Sequence, residues 1–121
     1  MARTTFKISR LLIMLAATAG SATSAAALER WVEVVNRGGS AIWSVQISHI
    51  DRPTWGPDLL GQYVIQPGGT MIVEPYNHQG YCRFDVLVAY ETGPTFPLSD
   101  INLCEARSIH ISDGGYVNVA Y

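Results

Sequence analysis

The segment Tyr81 to Tyr90 constrains the fold of this chain most. Cys82, Phe84, Val86, Val88 and Tyr90 fall on one side of it, and Arg83, Asp85, Leu87 and Ala89 on the other. A period of two is the signature of a half-buried β-strand. Past residue 27 no helical periodicity of convincing length competes with it. Short runs rich in Val, Ile, Tyr, Trp and Phe alternate instead with Gly, Pro, Asn and Asp clusters, which is the all-β pattern.

The strand candidates follow in order. Trp31 to Asn36 closes at Arg37-Gly38-Gly39-Ser40. Ile42 to Ile50 comes next, with Trp43, Val45 and Ile47 expected on the buried face and Ser44, Gln46 and Ser48 on the wet one. Two prolines and two glycines in residues 51–61 exclude a central strand there. Tyr63 to Gln66 is a short strand candidate, turned by Pro67-Gly68-Gly69 into Thr70 to Glu74. Asn77-His78-Gln79-Gly80 precedes the long strand, and Glu91-Thr92-Gly93-Pro94 leads from it to Thr95 to Leu98. Ser108 to Ser112 and Tyr116 to Tyr121 form a final hairpin around Asp113-Gly114-Gly115. Strands of this number and spacing predict a small antiparallel β-sandwich, Ig-like or jelly-roll-like, or a small barrel.

The first 27 residues have a different chemistry. Arg3, Lys7 and Arg10 make a positive start, Leu11 to Ala17 is apolar, and small residues lead to Ala25-Ala26-Ala27. The apolar run is shorter than the roughly 20 residues a membrane span needs, so it reads as a signal peptide cut after Ala27. The expected division is signal 1–27 and one β domain 28–121, periplasmic or secreted, with no stable membrane insertion after cleavage. Three of the eight basic residues leave with the signal, so five arginines face ten acidic residues and the net charge moves from −2 to −5. Those arginines are scattered, which excludes the clustered cations of a nucleic-acid surface.

Cys82 and Cys104 are the only cysteines. In an exported chain such a pair reads as one disulfide, worth roughly 3 kcal/mol for a loop of this length. A C-x-x-C spacing, which would favour metal or redox chemistry, is absent.

Catalytic signals are thin. His49, His78 and His110 match no zinc spacing, and there is no H-E-x-x-H or G-x-S-x-G. Glu33, Glu74, Asp85 and Glu91 read as surface charges. Asp51, Asp58, Asp100, Asn102 and Asp113 are oxygen donors in loops, but the D-x-[DN]-x-[DN]-G pattern of a calcium loop is missing. No cofactor, metal or catalytic residue is assigned. The informative loop is 51–61, which holds Trp55 between Pro53 and Pro57. A stiffened aromatic there suits contact with a sugar, peptide or protein, whereas Trp55, Leu59 and Leu60 folding back would make a plug over the end of the sandwich. Trp55, Asp58, Tyr63 and Tyr76 are the binding candidates.

Several short motifs together carry a resemblance: Val32-Glu33-Val34-Val35-Asn36-Arg37, Trp55-Gly56-x-Asp58-Leu59-Leu60-Gly61, Pro67-Gly68, Cys82-Arg83-x-Asp85-x-Leu87 and Asn102-Leu103-Cys104. The chain resembles a group of small exported bacterial proteins of unknown function. Some of that group carry an argininosuccinate lyase label, which does not suit a chain this size because that enzyme is a large helical oligomer. The resemblance implies export and a shared β fold, and no activity. Three roles are therefore weighed: a non-catalytic binding module for an envelope protein or glycan, an inhibitor or immunity-type protein working through 51–61, and a small hydrolase or lyase built on a histidine and a nearby acid.

Overall fold

The computed structural model describes residues 29–121, and the expected signal peptide lies outside them. Seven strands follow in chain order: β1 (Val32–Asn36), β2 (Ile42–His49), β3 (Thr70–Val73), β4 (Arg83–Tyr90), β5 (Thr95–Asn102), β6 (Ser108–Ile111) and β7 (Val117–Ala120). They form a four-stranded sheet ordered β3-β1-β6-β7 and a three-stranded sheet ordered β2-β4-β5. The fold is an all-β sandwich. Val32, Val34, Ile109 and Ile111 from one sheet meet Ile42, Val45, Ile47, Phe84, Val86 and Val88 from the other in one continuous buried core. The alternation in β4 does what its sequence implies, since Phe84, Val86, Val88 and Tyr90 are all buried.

Three details depart from the expectation. Pairing between β1 and β6 is parallel while the other ladders are antiparallel. The chain between them crosses to the second sheet and back twice, and so has the length that a parallel connection needs. Trp43 is 59% exposed, because the β2–β4 register shifts between Ile42 and Ser44. That β-bulge gives the inward position to Ile42 and turns the indole outward. Tyr63 to Gln66 does not form a strand; only Ile65 pairs, in a single bridge to Ile42.

A buried asparagine joins the two sheets. Asn36 is fully buried at the end of β1, and its Nδ2 donates to Ser40 O at 2.7 Å and to Ile65 O at 2.8 Å. Its Oδ1 accepts Gly38 N–H at 2.9 Å. Ile65 O also accepts the Ile42 N–H at 2.9 Å, so this carbonyl ties β1 to β2 across the layers. Every side-chain polar atom of Asn36 is used, which is the condition for burying an amide without penalty.

The hairpin between β6 and β7 closes on the opposite sheet. Gly114 and Gly115 both have positive φ (78° and 82°), and a Cβ on Gly115 would stand 2.5 Å from the Phe96 ring. Glycine is required there on both grounds. The disulfide Cys82–Cys104 is formed, with Cα atoms 5.1 Å apart, and Leu103 N–H bonds Cys82 O beside it at 2.8 Å.

Candidate functional site

Residues 52–60 run along the free edge of β2 and are fastened to it from both main chain and side chain. Ser48 Oγ donates to Thr54 O at 3.1 Å and accepts Gly56 N–H at 3.2 Å. Gln46 Nε2 donates to Gly56 O at 2.8 Å. Leu59 N–H bonds Val45 O at 2.8 Å, and Asp58 Oδ1 accepts the N–H of both Val45 and Leu60 at 3.0 Å. The open hydrogen-bonding edge of β2 is thereby covered, which is how sheets avoid edge-to-edge pairing.

This fastening sorts the sequence candidates. Leu60 is buried in the core and Leu59 packs against it, so the expected plug holds for the leucines and lies along the β2 edge. Trp55 is not part of it: the indole remains 39% exposed. Asp58 spends its Oδ1 on two backbone N–H groups and acts as a staple. Tyr63 and Tyr76 are exposed, at 62% and 72%, and neither lines the recess at Trp55.

That recess has a volume of about 170 Å³ and is lined by Ser48, Arg52, Pro53, Thr54, Trp55 and Asp85. Strand pairing explains the presence of Asp85, because Ser48 and Asp85 are direct partners in the β2–β4 register. Asp85 Oδ1 accepts Asp100 N–H at 2.9 Å. Asp100 has a positive φ of 60° and makes a two-pronged contact with Arg83, at 2.8 and 3.1 Å. The hydrogen bond from Arg83 holds the Asp100 carboxyl below the usual carboxylate range, with the charge attraction adding to it and partial desolvation opposing. The recess therefore presents an aromatic wall, a carboxylate, a guanidinium and a hydroxyl. Sequence reasoning read Asp85 as a surface charge, since only the strand register brings it beside Ser48, and passed over Arg52 within the loop itself.

A wider groove of about 480 Å³ lies between Trp31, Arg107 and Tyr121. Its size does not make it the better site. The Trp31 indole N–H is already committed to Glu29 Oε1, whereas the walls of the Trp55 recess are held by several internal hydrogen bonds. Pre-set walls lower the ordering cost of binding.

No histidine contacts a carboxylate among the described residues. His49 is buried and stacks on Tyr81, ring centroids 3.9 Å apart, with its Nδ1 lacking a hydrogen-bond partner. Tyr81 donates instead to Asp51 Oδ2 at 2.8 Å, and this bond, then burial, raises its phenol pKa. His78 Nδ1 accepts the N–H of Gly80 within its own turn. His110 has the outline of a catalytic pair but the opposite wiring. Arg37 Nε donates to His110 Nδ1 at 2.8 Å, which leaves the proton of the neutral ring on Nε2, 3.0 Å from Ser108 Oγ. The imidazole thus donates to the serine and has no lone pair there to accept the hydroxyl proton.

The oxygen donors expected in loops are equally dispersed, and two of them, Asp100 and Asn102, lie in β5, which runs past Leu98 to Asn102. Asp113 Oδ1 accepts Gly39 N–H at 2.9 Å, and Asn102 Oδ1 accepts Cys104 N–H at 3.1 Å. Among the described residues no group of three or more His, Cys, Asp or Glu side chains is placed to hold a metal.

The fold and the recess define a class: a disulfide-stapled β-sandwich with a preformed aromatic and charged recess on one sheet. No family model matches the chain, and no curated protein matches it. Among solved structures, the NMR structure of a protein from Eubacterium rectale is similar over 81% of this chain and 92% of that one, at 11% sequence identity and a TM-score of 0.49. Among the described residues no helix is long and apolar enough to cross a membrane.

Proposed function

We propose that this chain is an exported, non-catalytic binding module that holds an envelope glycan in the Trp55 recess. The observation that supports this most is the clamped loop, which keeps Trp55 half-exposed beside Arg52, Ser48 and Asp85. A sugar ring presents an apolar face and a rim of hydroxyls. An aromatic plane with a carboxylate and a guanidinium at its edge matches both. A carboxylate and a guanidinium supply the acceptor and the donors that such hydroxyls need. A periplasmic or secreted location accords with the N-terminal signal pattern, the Cys82–Cys104 bridge and the resemblance to small exported proteins.

The inhibitor role has less support, because 52–60 lies flat along β2 and does not project. The hydrolase role has less support too, given how each histidine is engaged.

The test is co-sedimentation of the exported protein with purified cell-wall sacculi and with soluble envelope polysaccharide. Binding should fall at least about tenfold in Trp55→Ala and stay unchanged in Tyr76→Ala, the scale expected of an aromatic anchor. No binding to either glycan, or equal binding by Trp55→Ala, overturns the reading.

A further inference from the structure

The two sheets leave four outer edges, and three of them are guarded. Residues 56–65 cover β2, through the bonds at Val45 and the Ile42–Ile65 bridge. On β5 the proline Pro97 and the left-handed Asp100 interrupt the edge. The β3 strand runs straight into Glu74 and Pro75. Charges, prolines and bulges are the usual devices against strand addition. On β7 there is none: Tyr116-Val117-Asn118-Val119-Ala120-Tyr121 carries no charge, no proline and no glycine. Tyr116 and Tyr121 are 76% and 65% exposed.

Which main-chain groups stand open follows from the ladder. Ser112 N–H bonds Tyr116 O at 2.8 Å, and His110 is the partner of Asn118. Antiparallel alternation then directs Tyr116 and Asn118 toward β6 and leaves the N–H and C=O of Val117 and Val119 on the outer edge.

We propose that β7 is the pairing edge for a second copy of this chain, the two β7 strands running antiparallel about a two-fold axis at Asn118. The segment is complementary to itself in that register. Val117 lies opposite the partner's Val119 on the core side, and both are already partly buried against the core. On the outer side Asn118 meets the partner's Asn118, amide to amide, and Tyr116 covers the partner's Ala120. The open groups of Val117 and Val119 form four interchain hydrogen bonds, and the four-stranded sheets join into one of eight strands. An isologous interface of this kind closes at two copies. Its small area makes the dimer weak and concentration-dependent.

Sedimentation of the exported protein from about 10 µM to about 1 mM, the range of weak interfaces, should show mass rising toward two copies. Asn118→Lys sets like charges across the axis and should weaken association at least about threefold while leaving the melting temperature of the exposed site unchanged. Asn118→Cys should oxidise to a covalent dimer, since directly opposed residues of this kind sit about 4.5 Å apart, within disulfide reach. The exposed control Tyr76→Cys should not. A monomer across the whole range, or a dimer indifferent to Asn118→Lys with Asn118→Cys linking no faster than the control, overturns the proposal.

Discussion

Replacing Asn36 tests how the two layers are held in register. In Asn36→Ala the Gly38 N–H loses its acceptor inside the protein, while Ile65 O keeps the Ile42 N–H. Ser40 O is half-buried and can turn to water. One stranded buried donor costs about 1–3 kcal/mol, and the vacated amide volume adds to that. The expected loss is about 2–3 kcal/mol, or a melting temperature lower by about 10–20 °C for a domain of this size. Asn36→Asp separates hydrogen bonding from volume. Its carboxyl keeps an acceptor for Gly38 but points an oxygen at the carbonyls of Ser40 and Ile65, so the folded protein favours the protonated form. A pKa raised on folding leaves stability intact below the unfolded value, about 3.9, and removes it as pH rises beyond that. The gap between Asn36→Asp and the parent should therefore be small near pH 3 and wide near pH 7. Chemical denaturation at both pH values measures it. A gap independent of pH, or an Asn36→Ala variant as stable as the parent, would refute the cross-tie.

Reducing Cys82–Cys104 should lower stability by roughly 3 kcal/mol, read as a fall of about 12–24 °C in a calorimetric scan with and without reductant. Trp43→Ser should change stability by no more than about 0.5 kcal/mol, and Phe84→Ala should remove about 3–5 kcal/mol; urea unfolding of the pair sets the side chain that the β-bulge turns outward on β2 against a buried one on β4. Asp51→Asn should bring the Tyr81 phenol back toward its ordinary pKa. Because that pKa is raised in the fold, the stability it reports is present below about pH 10 and lost as pH rises through the folded value. Ultraviolet titration of the phenolate follows the change directly.

The strand content of this protein is written locally. A period of two in Tyr81 to Tyr90 and turn residues at 37–40, 67–69 and 113–115 place the elements to within a few residues, because alternation and positive-φ glycines act over short range. The disulfide was legible in the two cysteines of the sequence, read beside its N-terminal signal pattern. What needed the tertiary structure was anything set by strand register. One extra residue at the bulge reversed Trp43, and pairing across β2 and β4 brought Asp85 beside Ser48 to line the Trp55 recess. Asn36, which reads only as the last residue of a strand in the sequence, became the buried tie between sheets because Ile65 arrives from 29 positions away. Ser108 and His110 show the same limit: their adjacency is legible, but the Arg37 contact that fixes the ring's proton is made 73 positions off in sequence. Local preference determines which segments become strands. Which side chains meet is decided by how those strands are paired, and that information is not local.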